Sequence, residues 1–452
     1  MNSTYTIYHK SLKKVLQLAL PIIAGQLGQV LMGFFDTIQI GGMGAVYIAA
    51  SGFANTVYWL TNLLGLGILF AVSPLVSEAF GEKKEWKAIG VLRSALKISL
   101  LVSLVLFAIM LLAINYIELF RQTEQINELS IRYLNIVNYS TIFILLFTTG
   151  KQFLDGMGRT IPGMLITLAG LALNVFLNWA LIYGHAGFPA MGIEGAALAT
   201  GIARIAMAVA ILVYIWRDQQ TITLRKLFGQ HSEAQKSYIL PILKIGIPSG
   251  LQFFMEVAAF SSGQIMSGWL GEKYLAAHQI AINLASVTFM VLMGFAAAGT
   301  IMTGYAFGAR DRTGIRIAGN TVFLITLLVE IIFAGLFFSC HQFFPALYTA
   351  DAEVIRLASS LLIFAAFFQI SDGLQAAAAG ALRGMQDVRI PVLIAFVSYW
   401  LVMIPGSYWL AFKLNLGING LWIGFIGGLS VAAMLLLIRF YRKVKTIEFT
   451  EL

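Results

Sequence analysis

Apolar runs of about 20 residues, the length that carries a helix across roughly 30 Å of hydrocarbon, recur along this chain. They lie near 16–40, 48–74, 91–114, 133–154, 161–183, 192–215, 240–268, 275–305, 317–340, 355–380, 390–412 and 418–440. Backbone groups in lipid must be satisfied within their own segment or in a closed barrel. These runs are continuous rather than alternating, which selects helices over a barrel. Only 11% of the 452 residues are charged, against about 25% in soluble domains. The chain therefore reads as an all-α polytopic membrane protein. Its 43 glycines suit helices packed closely where lipid gives no hydrophobic drive to associate.

The formal charge of +9 does not mark a nucleic-acid binder, because the basic residues are scattered through short loops with no stripe interleaved with aromatics. They report topology instead. Lys10, Lys13, Lys14, Lys83, Lys84, Lys87, Lys151, Arg159, Arg217, Arg310, Arg312, Arg383, Arg439 and Lys443 fall on one side of the expected membrane; Arg121, Arg132, Lys273, Arg356 and Lys413 fall on the other. The positive-inside rule makes both termini cytoplasmic and the number of spans even. The N-terminal MNSTYTIYHKSLKK runs into a long span without a small-residue cleavage site, so no removable signal peptide is expected. The single cysteine, Cys340, excludes an internal disulfide and is expected to be a buried thiol.

The chain also repeats itself. The register that places Pro21 on Pro248 also places Ala49 and Ala50 on Ala276 and Ala277, and the AFG beginning at Ala79 on that beginning at Ala306. With small slips the match continues from Asp155-Gly-Met onto Arg383-Gly-Met, from Pro162 onto Pro391 and from GIEG at Gly192 onto GING at Gly417. Each half holds six spans, so the copies share one orientation, and a central cavity between two bundles is expected. The domain reading is an N-terminal six-helix lobe at 1–216, a cytoplasmic linker at 217–237 and a C-terminal six-helix lobe at 238–452.

Polar residues inside such spans are costly and mark function. In the first span Gln26, Gln29, Gly33 and Asp36 follow one helical face; Asp36 is read as a protonatable or cation-binding group. In the seventh span, IGIPSGLQFFMEVAAFSSGQIMSGWLG, Gln252 and Glu256 are four apart, and Glu256 lies near mid-membrane, where snorkelling brings no relief. Gln369, Asp372 and Gln375 stack at intervals of three in an alanine-rich tenth span. Two acids on neighbouring helices of one half must interact strongly unless a cation neutralises both. Further cavity candidates are His278 with Gln279 and Asn283, and Asn174 with Asn178; Arg204 requires an acid partner, and Glu330 stands isolated. Pro405 is expected to kink the eleventh span. No HExxH, GxSxG, P-loop or Cys/His spacing occurs, so ATP-driven transport and metalloprotease chemistry lack their residues and no cofactor is expected.

The strings LPIIAGQLGQVLMGFFDT, GIPSGLQFFME, AAHQIAINL and DGLQAAAAGALRGMQD, spread over nearly the whole chain, resemble the multidrug and toxic compound extrusion transporters, specifically their bacterial NorM branch. The resemblance implies a secondary antiporter, not an enzyme. It would export hydrophobic organic cations against inward Na⁺ or H⁺ by alternating access, without a cofactor, as a monomer in the cytoplasmic membrane. It also implies coupling roles for Asp36, Glu256 and Asp372, with Glu256 and Asp372 as the Na⁺ ligands. A related branch carries Asp in the fifth helix where this chain has Asn178, which favours the second-half acids. The rivals are a lipid-precursor flippase of the same superfamily, whose pathway would be strongly cationic, and a membrane-embedded enzyme, for which no nucleophile or metal set is evident.

Overall fold

The computed structural model describes residues 2–230 and 236–447, with side chains described from Ile7 onward, Gln230 excepted. Residues 231–235 of the expected linker and the last five of the chain lie outside the described residues. Among those described there is no strand. The helices are α1 (Asn2–Gly41), α2 (Ala45–Leu69), α3 (Val72–Gly81), α4 (Lys87–Asn115), α5 (Glu124–Asn138), α6 (Thr141–Gly156), α7 (Ile161–Tyr183), α8 (Gly192–Arg217) and α9 (Gln219–Gln230). They continue as α10 (Ile239–Leu270), α11 (Glu272–Gly308), α12 (Arg312–Ser339), α13 (Phe343–Ala346), α14 (Ala352–Gly384), α15 (Arg389–Phe396), α16 (Ile404–Tyr408) and α17 (Gly417–Thr446).

Among the described residues 11 helical segments are long and apolar enough to cross a membrane, and the pair α5 and α6, bent by 48°, brings the number to 12 when counted as one broken span. The fourth expected span, 133–154, is thus two helices. Its break has a local cause: Ser140 donates its hydroxyl back to the Val137 carbonyl, and the Asn138 amide reaches the Phe107 carbonyl at 3.2 Å, contacts that compete with the helical ladder. The eleventh span is irregular around Pro405, which sits at the start of α16 between two π-helical stretches, Val397–Met403 and Trp409–Lys413. A proline has no N–H and clashes with the preceding turn, and the wider π turns absorb that defect.

The chain forms two compact units, Ala24–Gly250 and Met1–Ile23 with Leu251–Leu452. Relative to lobes bounded at 216 and 238, the leading parts of α1 and α10 are exchanged. Residues before Ala24 pack with the second unit, where Ser11 donates to Thr321 at 2.9 Å and Lys14 lies over the Tyr305 ring. The start of α10 packs with the first unit, and the Tyr238 N–H just before it donates to Ser94. In the register that pairs Pro21 with Pro248, Ala24 falls on Leu251, so the two unit boundaries are equivalent positions of the internal repeat.

In the second unit α14 is the hub, packed against α11, α12 and α17, with a core of Ala358, Leu361, Leu362, Ala365, Trp422 and Phe425 among others. Gln369, Asp372 and Gln375 are thereby buried among other helices. In the first unit the first part of the segment joining the halves forms α9. Asp218 accepts from the Thr221 N–H and hydroxyl and pairs with Arg159. Burial pushes the Asp218 carboxyl up, but the bonds from Arg159 and Thr221 together hold it below the ordinary carboxylate range. This anchor is in place at neutral pH and is lost only as the pH falls through that lowered value. Cys340, expected to be buried, caps the end of α12 and is partly exposed.

Candidate functional site

Two acid centres emerge, one in each unit. In the first, the Asp36 side chain of α1 is 6% exposed. Its carboxylate accepts from the Asn178 amide of α7 and, at 3.5 Å, from the Thr200 hydroxyl of α8. The Asn174 amide reaches Thr200 in turn, at 3.5 Å. Asn174 and Asn178 are four apart on α7, so one face of that helix supplies both carboxamides. Their side-chain oxygens are buried and take no hydrogen bond. In this arrangement Asn178 presents its N–H to the carboxylate; with that amide turned over, its oxygen and the Thr200 hydroxyl would join the carboxylate as hard oxygen ligands of the type that alkali and alkaline-earth cations prefer. Among the described residues no group of three or more His, Cys, Asp or Glu forms a cluster able to hold a metal, so any ion here is held largely by neutral oxygens.

Arg204, on α8, has no acid within ion-pair distance among the described residues, contrary to the expected salt bridge. It donates to the Ser140 hydroxyl at 2.8 Å and lies 4.6 Å above the Tyr58 ring. The reason is that Asn178 and Thr200 already occupy the Asp36 carboxylate, while the bend at Ser140 presents a hydroxyl to the guanidinium.

In the second unit Glu256 on α10 and Asp372 on α14 are 7% and 4% exposed. One amide joins them: the Gln375 Nε2 group donates to Glu256 Oε1 and to Asp372 Oδ1, at 3.3 Å each. The Tyr399 hydroxyl, in the π-helical stretch that follows α15, donates to Gln375 Oε1 at 3.0 Å and fixes the direction of that amide. The interval of three between Asp372 and Gln375 puts both on one side of α14. Beside them is a cavity of about 20 Å³ lined by Gln252, Glu256, Met293, Gln375, Ala379 and Arg383, among others. That volume admits a water or a small ion, and in this conformation no drug-sized molecule.

The remaining expected residues separate. Gln252 lines this cavity and Gln369 is buried, whereas Gln29 and Asn283 are exposed. His278, expected as a cavity group, is instead core: it is 1% exposed and packs edge-on against Trp422 and Phe425. Its position one residue after Ala277 turns it toward the aromatic interior of the unit. Arg383, counted from sequence with the cytoplasmic cations, lies in the cavity wall with its guanidinium over the Phe253 ring. Thr200 and Tyr399 carried no sequence signal of their own, being an ordinary hydroxyl and an ordinary aromatic in apolar helices. They gain meaning only through the side chains they touch.

Known proteins share the fold of this chain. The MatE family model matches twice, at residues 21–180 and 248–409, and the two matches begin at Pro21 and Pro248, the prolines paired by the internal repeat. Multidrug resistance protein NorM of Photobacterium profundum is 34% identical over 96% of this chain and 95% of its own length. The NorM of Vibrio cholerae is 33% identical over 96% of both chains. Among solved structures, an outward-facing MATE family transporter of the MOP superfamily superposes with a TM-score of 0.88 at 22% identity, over 97% of both chains. A MOP superfamily transporter from Pyrococcus furiosus, described as having a binding pocket of reverse polarity, superposes with a TM-score of 0.87 at 23% identity over 97% of both chains. The fold alone therefore leaves substrate polarity open. The doubled family match and the full-length NorM relatives show that this chain belongs to the MatE family: it is a multi-pass membrane transporter of the NorM type and not an enzyme.

Proposed function

We propose that the protein is a secondary multidrug exporter of the cytoplasmic membrane, with both termini cytoplasmic, that drives organic cations outward against inward Na⁺ or H⁺. The observation that carries this reading is the Glu256 and Asp372 pair: two buried carboxyls joined through one amide beside a cavity sized for a small ion. Two like charges so placed cannot both remain ionised and unpaired without a large cost. A proton, a metal cation or a cationic substrate relieves that cost, and all three compete for the same relief. Such competition is what antiport requires. One charge moving through 100 mV supplies about 2.3 kcal/mol, a bias of about fiftyfold. We place Na⁺ before H⁺ because the second-unit centre pairs two carboxyls, the hard oxygen donors that an alkali cation prefers. A flippase for an anionic headgroup fits less well, since the second-unit cavity sets one guanidinium, Arg383, against the Glu256 carboxyl, with Asp372 joined to Glu256 through Gln375.

The test is ethidium export from protein in liposomes under an imposed Na⁺ gradient and, separately, an imposed pH gradient. Export that follows the Na⁺ gradient is the expected result. Absence of export under both, from folded protein, overturns the reading. In the same assay Asp36→Asn is expected to lower Na⁺-driven export about tenfold, because one charge-assisted ligand, worth about 1.5–3 kcal/mol, is removed while the carboxamide still fills the space. Wild-type rates would reduce Asp36 to a packing role. Tyr399→Phe leaves the Gln375 carbonyl oxygen unpaired, at a cost of about 1–3 kcal/mol, and frees the amide to rotate. The expected outcome is a fivefold or larger change in the ion concentration giving half-maximal export, about 1 kcal/mol. An unchanged ion dependence removes Tyr399 from the site.

A further inference from the structure

The interface between α12 and α14 holds a third acid that the reading above does not use. Glu330 is 0% exposed, and neither of its carboxyl oxygens has a hydrogen-bond partner. Its head lies against α14 at Gly373, the residue after Asp372: a Cβ there would meet Glu330 Cγ at 2.8 Å and Oε1 at 3.1 Å. Glycine at 373 is thus the space the carboxyl occupies. Thr326, one turn before Glu330 on α12, presses its methyl on the same glycine, and its hydroxyl is also buried and unpaired. On α14, Gln369, one turn before Gly373, is 1% exposed with both amide atoms unpaired. An apolar helix interface does not accumulate five unpaired polar atoms on three neighbouring side chains without a use for them.

The charged surroundings of Glu330 are simple. Its own helix carries no other titratable group between Arg316 and Ser339. The neighbouring α11 has none between His278 and Tyr305, and α17 has none between Gly417 and Ile438. On α14, Asp372 adjoins the glycine on which the Glu330 head rests, while Arg356 and Arg383 lie toward the two ends of the helix. With no cation to pair it and no donor to solvate it, an ionised Glu330 would cost several kcal/mol. The carboxyl in this arrangement is the neutral acid.

We infer that Glu330 is a proton-binding site of the second unit, a third acid behind Asp372 whose proton is exchanged in step with the charge on Asp372. A negative Asp372 holds the Glu330 proton in place. A cation bound at Asp372 removes that field and lowers the cost of losing the Glu330 proton. Linkage makes the effect reciprocal, so protonation of Glu330 weakens cation binding at Asp372 by the same factor. The role in coupling rests on the export reading; the site itself does not.

The experiment is infrared difference spectroscopy on the purified full-length protein at neutral pH, in H₂O and D₂O, with wild type, Glu330→Gln, Glu330→Asp and Gly373→Ala. The expected result is a protonated-carboxyl C=O band in wild type that is lost in Glu330→Gln, retained in Glu330→Asp and shifted in Gly373→Ala, whose new methyl intrudes on Glu330. Glutamine matches the neutral acid in shape, and the aspartate variant preserves a reading if glutamine fails to fold. In liposomes the ratio of pH-gradient-driven to Na⁺-driven ethidium export is expected to fall about tenfold in Glu330→Gln, or about 1.4 kcal/mol, and to recover in Glu330→Asp. A band unaffected by Glu330→Gln overturns the site, and an unchanged export ratio overturns its coupling role. If wild type exports nothing under either gradient, the export reading falls and the band alone decides the site.

Discussion

Glu256→Gln is expected to reduce gradient-driven export to the level of passive leak, a loss of about fiftyfold or more at 100 mV, while leaving the protein folded and inserted. The two expectations follow from the same geometry. Glutamine keeps the length of the side chain, and its carbonyl oxygen can accept the Gln375 N–H that Glu256 Oε1 now accepts, so packing and the amide bridge to Asp372 survive. What disappears is the second negative charge. With Asp372 alone, the centre no longer changes between a doubly ionised and a neutralised form, and a cationic substrate and a coupling ion no longer exclude each other through a shared charge deficit. Ethidium flux in liposomes should become insensitive to either imposed gradient, with a melting temperature close to wild type. Full gradient-dependent export by a folded variant would falsify the central place given to this pair.

Much of the architecture was legible because lipid permits few solutions. Continuous apolar runs read as spans, and the register that pairs Pro21 with Pro248 recurs both in the starts of the doubled family match and in the unit boundaries. The exceptions are local. The break at Ser140 depends on a hydroxyl turning back on its own helix, which apolarity averaged over a window does not register. The exchange of the leading parts of α1 and α10 leaves no mark in composition at all.

At the sites, the acids announced themselves through the cost of burying them, whereas their partners did not. Asp36, Glu256 and Asp372 stand out in apolar spans, and spacing alone ranked Gln375 beside Asp372. Thr200, Tyr399 and Arg383 became visible only when helices distant in sequence came together. His278 went the other way: a titratable residue in a span reads as functional until its surroundings prove aromatic. Glu330 shows the limit most clearly. Its isolation in sequence was accurate, since its carboxyl oxygens take no hydrogen bond, and that same lack, at 0% exposure, is what distinguishes it in the structure.

The largest structural effect is expected from Gly380→Val. Gly380 and Gly384 form a GxxxG pair on α14, the helix from which Asp372, Gln375 and Arg383 project. A side chain at 380 would run into the α11 backbone, with the Ala296 carbonyl carbon at 2.9 Å and its Cα at 3.1 Å. Backbone, unlike a side-chain tip, cannot step aside. The helices would have to separate, and two interhelical bonds would be lost with their contacts: Thr300 to the Gly380 carbonyl at 2.8 Å and Thr303 to the Ala381 carbonyl at 3.0 Å. Each such bond contributes about 0.6 kcal/mol in a membrane, and overpacking of a close-packed interface adds about 1–3 kcal/mol. The sum, about 2–4 kcal/mol, is a large fraction of a typical folding free energy. The yield of monodisperse protein after detergent extraction should fall about tenfold. Gly427→Ala on α17 is the control, because a methyl there meets nothing within 4 Å, and its yield should match wild type. The shared wall explains why fold and function fail together at this point: Ala296 of α11 and Ala379 and Arg383 of α14 line the cavity beside Glu256, so the contact that lets the two helices touch also sets the width of the ion site. A normal yield of well-folded Gly380→Val protein would mean that α11 and α14 are held together by something other than this crossing.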